Sequence, residues 1–453
     1  MHRLSLIFTA LRASFWFLPY LIVGACAVAA VALTDPQPST ADLWLAAFPH
    51  LFSADVAGAR EMLSTIAASM VSVVGIVFSM TLVALALASS QYSSRVLRTF
   101  MRSRLTQVAI GLFAGLFVYC LIVLRGVTGP DDELVGPVFA VSLAVVLAIG
   151  AVALLIYFIH HIALLIQAAT ILASVADETI DTIEAMFPLD ELGAEGADEE
   201  SVGAADMPSG SGQRITAPGS GYIQSIDQEA LLRFACKHDT LVRMELGVGQ
   251  FVIAGAGLLT LGNGQVYAEK LVKELHSMVK ISPYRTVEQD PSFGIRQIVD
   301  VALKALSPAM NDTTTAVMCI DYLGTILASL ASRPFGSPCQ RVGGSLRLVT
   351  VITDFTTLVH EAFDQIRRSG SDNVAILLRI AGTIDMLGTL PVLPGRYAAF
   401  AEQLGLLDEM SEMTVATAAD RAAIQRRIGE VRRALDDACA KAAAGTKPNK
   451  GSI

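Results

Sequence analysis

The side chains of this sequence that could do chemistry are alcohols, arginines, imidazoles and carboxylates, and they fall in four groups. The first lies inside an apolar run, LSTIAASMVSVVGIVFSMTLVALALASSQYSSR, which carries Ser64, Thr65, Ser69, Ser72, Ser79 and Thr81. Ala68, Ser72, Gly75 and Ser79 recur at steps of three or four, so on a helix they share one face of small residues. Such a face has two uses. It lets helix backbones approach closely at the centre of a bundle, with hydroxyls bonding across, or it lines a narrow water-filled pore. Ser69, Ser72, Ser79 and Thr81 are the pore-lining candidates.

The second group is Arg95, Arg98, Arg102 and Arg104, a basic stripe just past that run. It serves as membrane-interface anchoring, and it would also hold anionic lipid. The third is the pair His160 and His161, which titrates near neutral pH or binds metal in some settings and is a solvated interfacial feature in most. The fourth sits in RTVEQDPSFGIRQIVDVALKALSPAMNDTTTAVMCIDYLGTIL. Arg296 and Asp300 are four apart on one helix flank. Ser307-Pro308 then breaks the helix, and Asn311 or Asp312 caps the next one. This segment reads either as a tightly specified structural corner or as a cytoplasmic ligand or ion site built from Asn311, Asp312, Glu288 and Asp290.

None of these groups is a catalytic constellation. The chain has no GxSxG or HExxH pattern, and GVGQFVIAGAGLL lacks the Lys-Ser/Thr ending of a phosphate loop, so no catalytic residue is assigned and no enzyme is expected. The six cysteines are scattered without a CxxC pair, so no metal site, cofactor or disulfide framework is expected. A net charge of −9 argues against a nucleic-acid partner.

The elements that must position these groups follow from hydropathy. The chain has 453 residues, 53% of them hydrophobic and only 17% charged, with mean hydropathy +0.55. A helix crosses a bilayer with about 20 apolar residues, and four stretches qualify, at about 14–33, 63–88, 105–124 and 134–159. No acidic or basic residue lies in the apolar part of any of them, which argues against a proton relay. Loop charges set the orientation. Arg3 and Arg12 precede the first stretch and four arginines lie between the second and third, without an acid in either place. The intervening loops carry Asp35, Asp42, Asp55 and Glu61, and then Asp131, Asp132 and Glu133. Basic loops face the cytoplasm, so both termini are placed there, in a multi-pass protein of the bacterial inner membrane.

Beyond the spans the expected fold is a cytoplasmic α+β domain, with a small β-barrel or sandwich and a helical part. The boundaries are a four-span transmembrane domain over 1–176, an acidic Gly/Ser-rich linker over 177–213, a β-rich subdomain over 214–266, a helical subdomain over 267–441 and a disordered tail over 442–453. Inward-facing candidates of the β part include Ile215, Ile223, Val242, Met244, Phe251, Val252, Leu258 and Leu261. A short helix over 228–236 interrupts its strands.

Four blocks, GIVFSMTLVALALASSQYSSRVLRTFMR, SGYIQSID, DPSFGIRQIVDVALKALSPAMNDTTTA and AFDQIR, closely resemble a family of predicted bacterial membrane proteins catalogued as domain of unknown function 2254. The resemblance runs from the first span to about residue 400. One departure is Thr313, where the family more often has proline. The resemblance implies a membrane protein and brings with it no activity, substrate or catalytic residue. The functional expectation is therefore an oligomeric channel or pore lined by the second span, with a cytoplasmic regulatory domain. The alternative is a membrane-anchored sensor or scaffold whose cytoplasmic domain binds a ligand or partner. The bilayer and further copies of the chain are the expected partners.

Overall fold

The computed structural model describes residues 16–34, 56–91, 104–127, 138–165, 167–189, 212–262 and 266–445. Two compact units divide the chain between Thr170 and Ile171.

The first unit is helical: α1 (Phe17–Thr34), α2 (Val56–Gln91), α3 (Arg104–Gly126) and α4 (Val138–Leu165). Each apolar stretch of the sequence thus forms one helix. The centre of the group is α3, against which α1, α2 and α4 all pack. Its sequence explains why. Gly111 and Gly115, four residues apart in GLFAG, bring the α1 backbone into contact: a β-carbon at Gly111 would lie 2.9 Å from Pro19 Cα, and one at Gly115 2.8 Å from Cys26 Sγ. Among apolar helices in lipid there is little hydrophobic drive, so close backbone approach and van der Waals contact hold the pair. Phe113, Leu116, Tyr119 and Val123 fill the remaining volume, and the Tyr119 hydroxyl donates to Ala140 O of α4 at 2.9 Å.

The second unit begins with α5 (Ala168–Met186), followed by β1 (Gln213–Thr216), β2 (Gly221–Ile226), α6 (Gln228–Lys237), β3 (Val242–Met244), β4 (Phe251–Val252), β5 (Gly257–Leu261), α7 (Glu269–Ser277) and β6 (Val279–Ser282). Then come α8 (Pro291–Ala305), α9 (Thr313–Ala331), β7 (Cys339–Val342), β8 (Ser345–Val349), α10 (Phe355–Ser369), α11 (Val374–Gly388), α12 (Tyr397–Thr414) and α13 (Ala418–Gly445). The strands make two sheets, ordered β1-β5-β3-β8-β7 and β4-β2-β6, and residues of both share one core that includes Ile215, Ile223, Val242, Val252, Leu258 and Leu348. Phe251, expected inside, is 53% exposed and meets Tyr222 edge to face at 5.1 Å.

Three sequence-based boundaries move. The segment 177–186 is the end of α5, not linker, because Ile171, Leu172, Val175, Ala176, Thr179 and Ile183 form an apolar face buried in the second unit. The first compact unit ends at Thr170, within the first turn of α5. The helical part is not purely helical. β6 pairs with β2, and the β7–β8 hairpin joins the larger sheet when β8 runs parallel to β3. Its turn is Gly343-Gly344, both at positive φ, the backbone a tight hairpin requires. Finally, α13 continues to Gly445, so 442–445 are helix; 446–453 lie outside the described residues.

Among the described residues, five helices are long and apolar enough to cross a membrane, the fifth being α9. It packs against α8, α10 and α11, each with its own buried face, and its Asp321 is paired with Arg379 of α11.

Candidate functional site

Helix α2 has two unlike faces. Ala59, Leu63, Ala67, Met70, Val77 and Ala84 are buried and turn toward α3 and α4. Ser64, Ala68, Ser72, Gly75 and Ser79 are exposed on the opposite side, and a β-carbon at Gly75 would meet nothing within 4 Å. Large apolar side chains flank this shallow strip, among them Val71 and Phe78 along one edge and Ile76 and Val83 along the other. The small-residue face therefore does not pack the centre of its own bundle; α3 fills that place. The pore-lining candidates Ser72 and Ser79 lie on the strip and Ser69 beside it, all exposed, while Thr81 is half-buried. Three of these hydroxyls donate to carbonyls one turn back: Ser69 to Thr65 O at 2.7 Å, Ser72 to Ala68 O at 3.2 Å and Thr81 to Val77 O at 2.7 Å. Their donors are satisfied inside the helix, and the oxygen lone pairs remain for a neighbour or water.

Arg95, Arg98 and Arg102 lie outside the described residues. Arg104 opens α3 and is exposed. His160 and His161 are on the last turns of α4, where the His161 ring stacks near Tyr157 at 6.2 Å.

The carboxylate-rich segment of the second unit is divided by α8. Asp290 caps that helix at its start, and Asn311 and Asp312 follow its end, so about 22 Å of helix separates them. A shared ligand or ion site made of Asn311, Asp312, Glu288 and Asp290 is thereby ruled out. Arg296 and Asp300 pair along the helix at 2.8 Å. Asn311 takes φ +46°, a left-handed conformation that asparagine tolerates well. Asp312 caps α9, accepting Thr315 N at 3.0 Å and Thr315 Oγ1 at 2.6 Å. These bonds hold the Asp312 carboxyl below the usual carboxylate range. Thr313 stands at the first helical position, where proline loses no helix hydrogen bond; its hydroxyl accepts from Asn373 Nδ2 at 2.9 Å. Asp312 with Thr315, and Thr313 with Asn373, thus satisfy one another in pairs. Among the described residues, no group of three His, Cys, Asp or Glu side chains is placed to hold a metal ion.

A different site is missing from the sequence reading. An open cleft of about 1060 Å³ lies in the second unit, lined by the starts of α6 and α8, the end of α5, β6 and the segments before β7 and α10. At its edge Arg285 grips Asp290 in a two-point ion pair, Nε to Oδ2 at 2.8 Å and Nη2 to Oδ1 at 3.0 Å. The same Nη2 reaches Ser292 Oγ at 3.2 Å, and Ser292 donates to Glu361 Oε2 at 2.6 Å. Gly249, at φ +85°, crosses this ion pair so closely that a β-carbon would sit 2.8 Å from Arg285 Nη2. Only the cap Asp290-Pro291 was a local signal for this chain of groups. Its other members come together through tertiary folding.

A family model described as predicted membrane protein, domain of unknown function 2254, matches residues 12–386. The chain belongs to this family. Among its relatives, uncharacterized proteins of Mycobacterium tuberculosis and Mycobacterium bovis are 31% identical over 396 residues, covering 85% of this chain and 74% of theirs. No solved structure matches. As a member of the domain of unknown function 2254 family with several long apolar helices, the chain is a multi-pass membrane protein.

Proposed function

We propose that the protein is a homo-oligomeric channel of the bacterial inner membrane whose second span faces its neighbours around a pore, with the α+β unit as a cytoplasmic regulator. The observation that carries this is the exposed strip of Ser64, Ala68, Ser72, Gly75 and Ser79, opposite the face that packs on α3. In an isolated protomer this strip would face lipid, whereas contact with a second copy, or with water in a pore, would use its small side chains and its hydroxyl oxygens. In this reading four helices span, both termini are cytoplasmic, and α9 is a core helix: its charged Asp321–Arg379 pair and its packing among α8, α10 and α11 suit a water-soluble unit. The second reading, a membrane-anchored sensor, draws its support from the cleft of the α+β unit. The two are compatible if the ligand gates the pore. Single-channel recording in planar bilayers tests the first. Discrete currents that Ser72→Leu and Ser79→Leu diminish support a pore; a silent bilayer with intact oligomers leaves the sensor.

A further inference from the structure

We propose that one tip of the α+β unit, made of residues 217–220 and 253–256 with Phe251 and Tyr222 beside them, enters the headgroup region of the bilayer that anchors the chain. Such a contact is independent of the pore reading.

The sequence marks this tip twice. From Ile215 to Ile226, and again from Leu246 to Ala268, the chain carries no charged residue. Pairing of β1 with β5 and of β2 with β4 brings the two uncharged stretches together. Alternate residues of a strand point to opposite faces. Val252 and Ile223 enter the core, while Phe251 and Tyr222, directly opposite one another, take the outer face. The outer face of an antiparallel sheet in water is ordinarily polar. Here it carries Phe251, 53% exposed, and just past the strand Ile253, 66% exposed; Tyr284, beyond β6, is 59% exposed. Exposed apolar groups gathered in this way mark a contact surface.

The backbone of the tip is prepared for an apolar surrounding. Ala217 N donates to Ala256 O at 2.8 Å, Gly255 N to Ala217 O at 3.0 Å, Ala256 N to Ile253 O at 2.9 Å and Ala254 N to Ser220 Oγ at 2.9 Å. Pro218, between them, has no N–H to satisfy. Unpaired donors would oppose entry into lipid, and these four are paired within the tip.

Charge and tethering select the bilayer over a second protein. The strands that frame the tip, β1, β2, β4, β5 and β6, carry two charged residues between them, Arg214 and Lys280. Both are basic and exposed, as suits the phosphate level of a membrane. Helix α4, long and apolar enough to cross a membrane, ends at Leu165, and only residues 166–170 precede the second unit at Ile171. A short tether keeps lipid at high effective concentration around this unit. Aromatic and aliphatic side chains in such a position settle about 5–10 Å into the headgroup boundary.

Fluorescence of the full-length protein in vesicles of phosphatidylcholine and phosphatidylglycerol tests the contact. Trp16 and Trp44 are first replaced by phenylalanine. A single reporter is then introduced by Ile253→Trp, with Phe251→Trp as a second position on the same face. Met413→Trp is the control, at an apolar residue of α12 that is 75% exposed. Emission from Ile253→Trp should shift to the blue. Lipids brominated near the top of the acyl chain should quench it more than lipids brominated near its end. Emission from Met413→Trp should match tryptophan in water and stay unquenched. Absence of quenching at both 251 and 253 would overturn the proposal. So would blue-shifted but unquenched emission, which would show that a second copy or another protein surface covers the tip. Equal quenching at 253 and 413 would overturn it as well. Currents play no part in this measurement, so its failure leaves the pore reading standing.

Discussion

Gly294 of α8 and Thr179 of α5 meet so closely that any β-carbon on the glycine would overlap the threonine side chain. Thr179 is fully buried, and its hydroxyl donates to Val175 O at 2.6 Å, so it has nowhere to turn. This contact seats α5 on the second unit. Gly294→Ala should cost about 1–3 kcal/mol, as overpacking in a well-filled core does. Thr179→Ala in the same chain should recover part of that loss. Denaturation of the two proteins, singly and combined, gives the coupling.

A second prediction concerns the ion pair at the cleft edge. Arg285 is only 22% exposed and Asp290 5%. Removing the carboxylate strands the guanidinium and strips α8 of its cap. Asp290→Ala should therefore destabilise by about 3–5 kcal/mol. Asp312→Ala, which loses an exposed-side cap, should cost about 1 kcal/mol. Thermal unfolding monitored by near-ultraviolet circular dichroism ranks them.

The third is a pH dependence with a definite sign. Asp312 is held below the normal carboxylate range by its bonds to Thr315. Its contribution is complete above the unfolded-state value of about 4, and it is lost as pH falls through the lower folded-state value. Asp312→Asn keeps a cap but loses the charge. Wild type should exceed it in stability at pH 6, and the gap should close on acidification below about pH 4. A gap that widened on acidification would contradict the assignment.

The fourth uses the departure at residue 313. Proline at the first turn of α9 is compatible with the cap made by Asp312, so Thr313→Pro should fold. It gives up the bond from Asn373, for a net change within about 1 kcal/mol in melting experiments.

What could be read beforehand divides along physical lines. The four apolar helices were legible because bilayer thickness imposes a length and a composition that few other segments meet. The small-residue face of α2 was legible as a face, yet its direction was not, since that depends on which neighbours pack behind it. GLFAG in α3 carried the information that decided the matter: Gly111 and Gly115 mark the helix that others approach. The Asp312 cap was readable from local chemistry alone. The β7–β8 hairpin was also readable, from Gly343-Gly344 between alternating residues, but a long helical neighbourhood obscured it. The cleft had no local signature. Its walls come from near 186, 227, 280, 290, 336 and 352, and only the tertiary fold brings them together.

The back-bonded hydroxyls of α2 bear on how the protein is made. Because Ser69, Ser72 and Thr81 donate to their own helix, a newly synthesised chain brings no stranded donor from these residues into an apolar surrounding. Entry of the helix into the bilayer is thereby independent of any neighbour, since neither a second helix nor water is needed to satisfy these three hydroxyl donors.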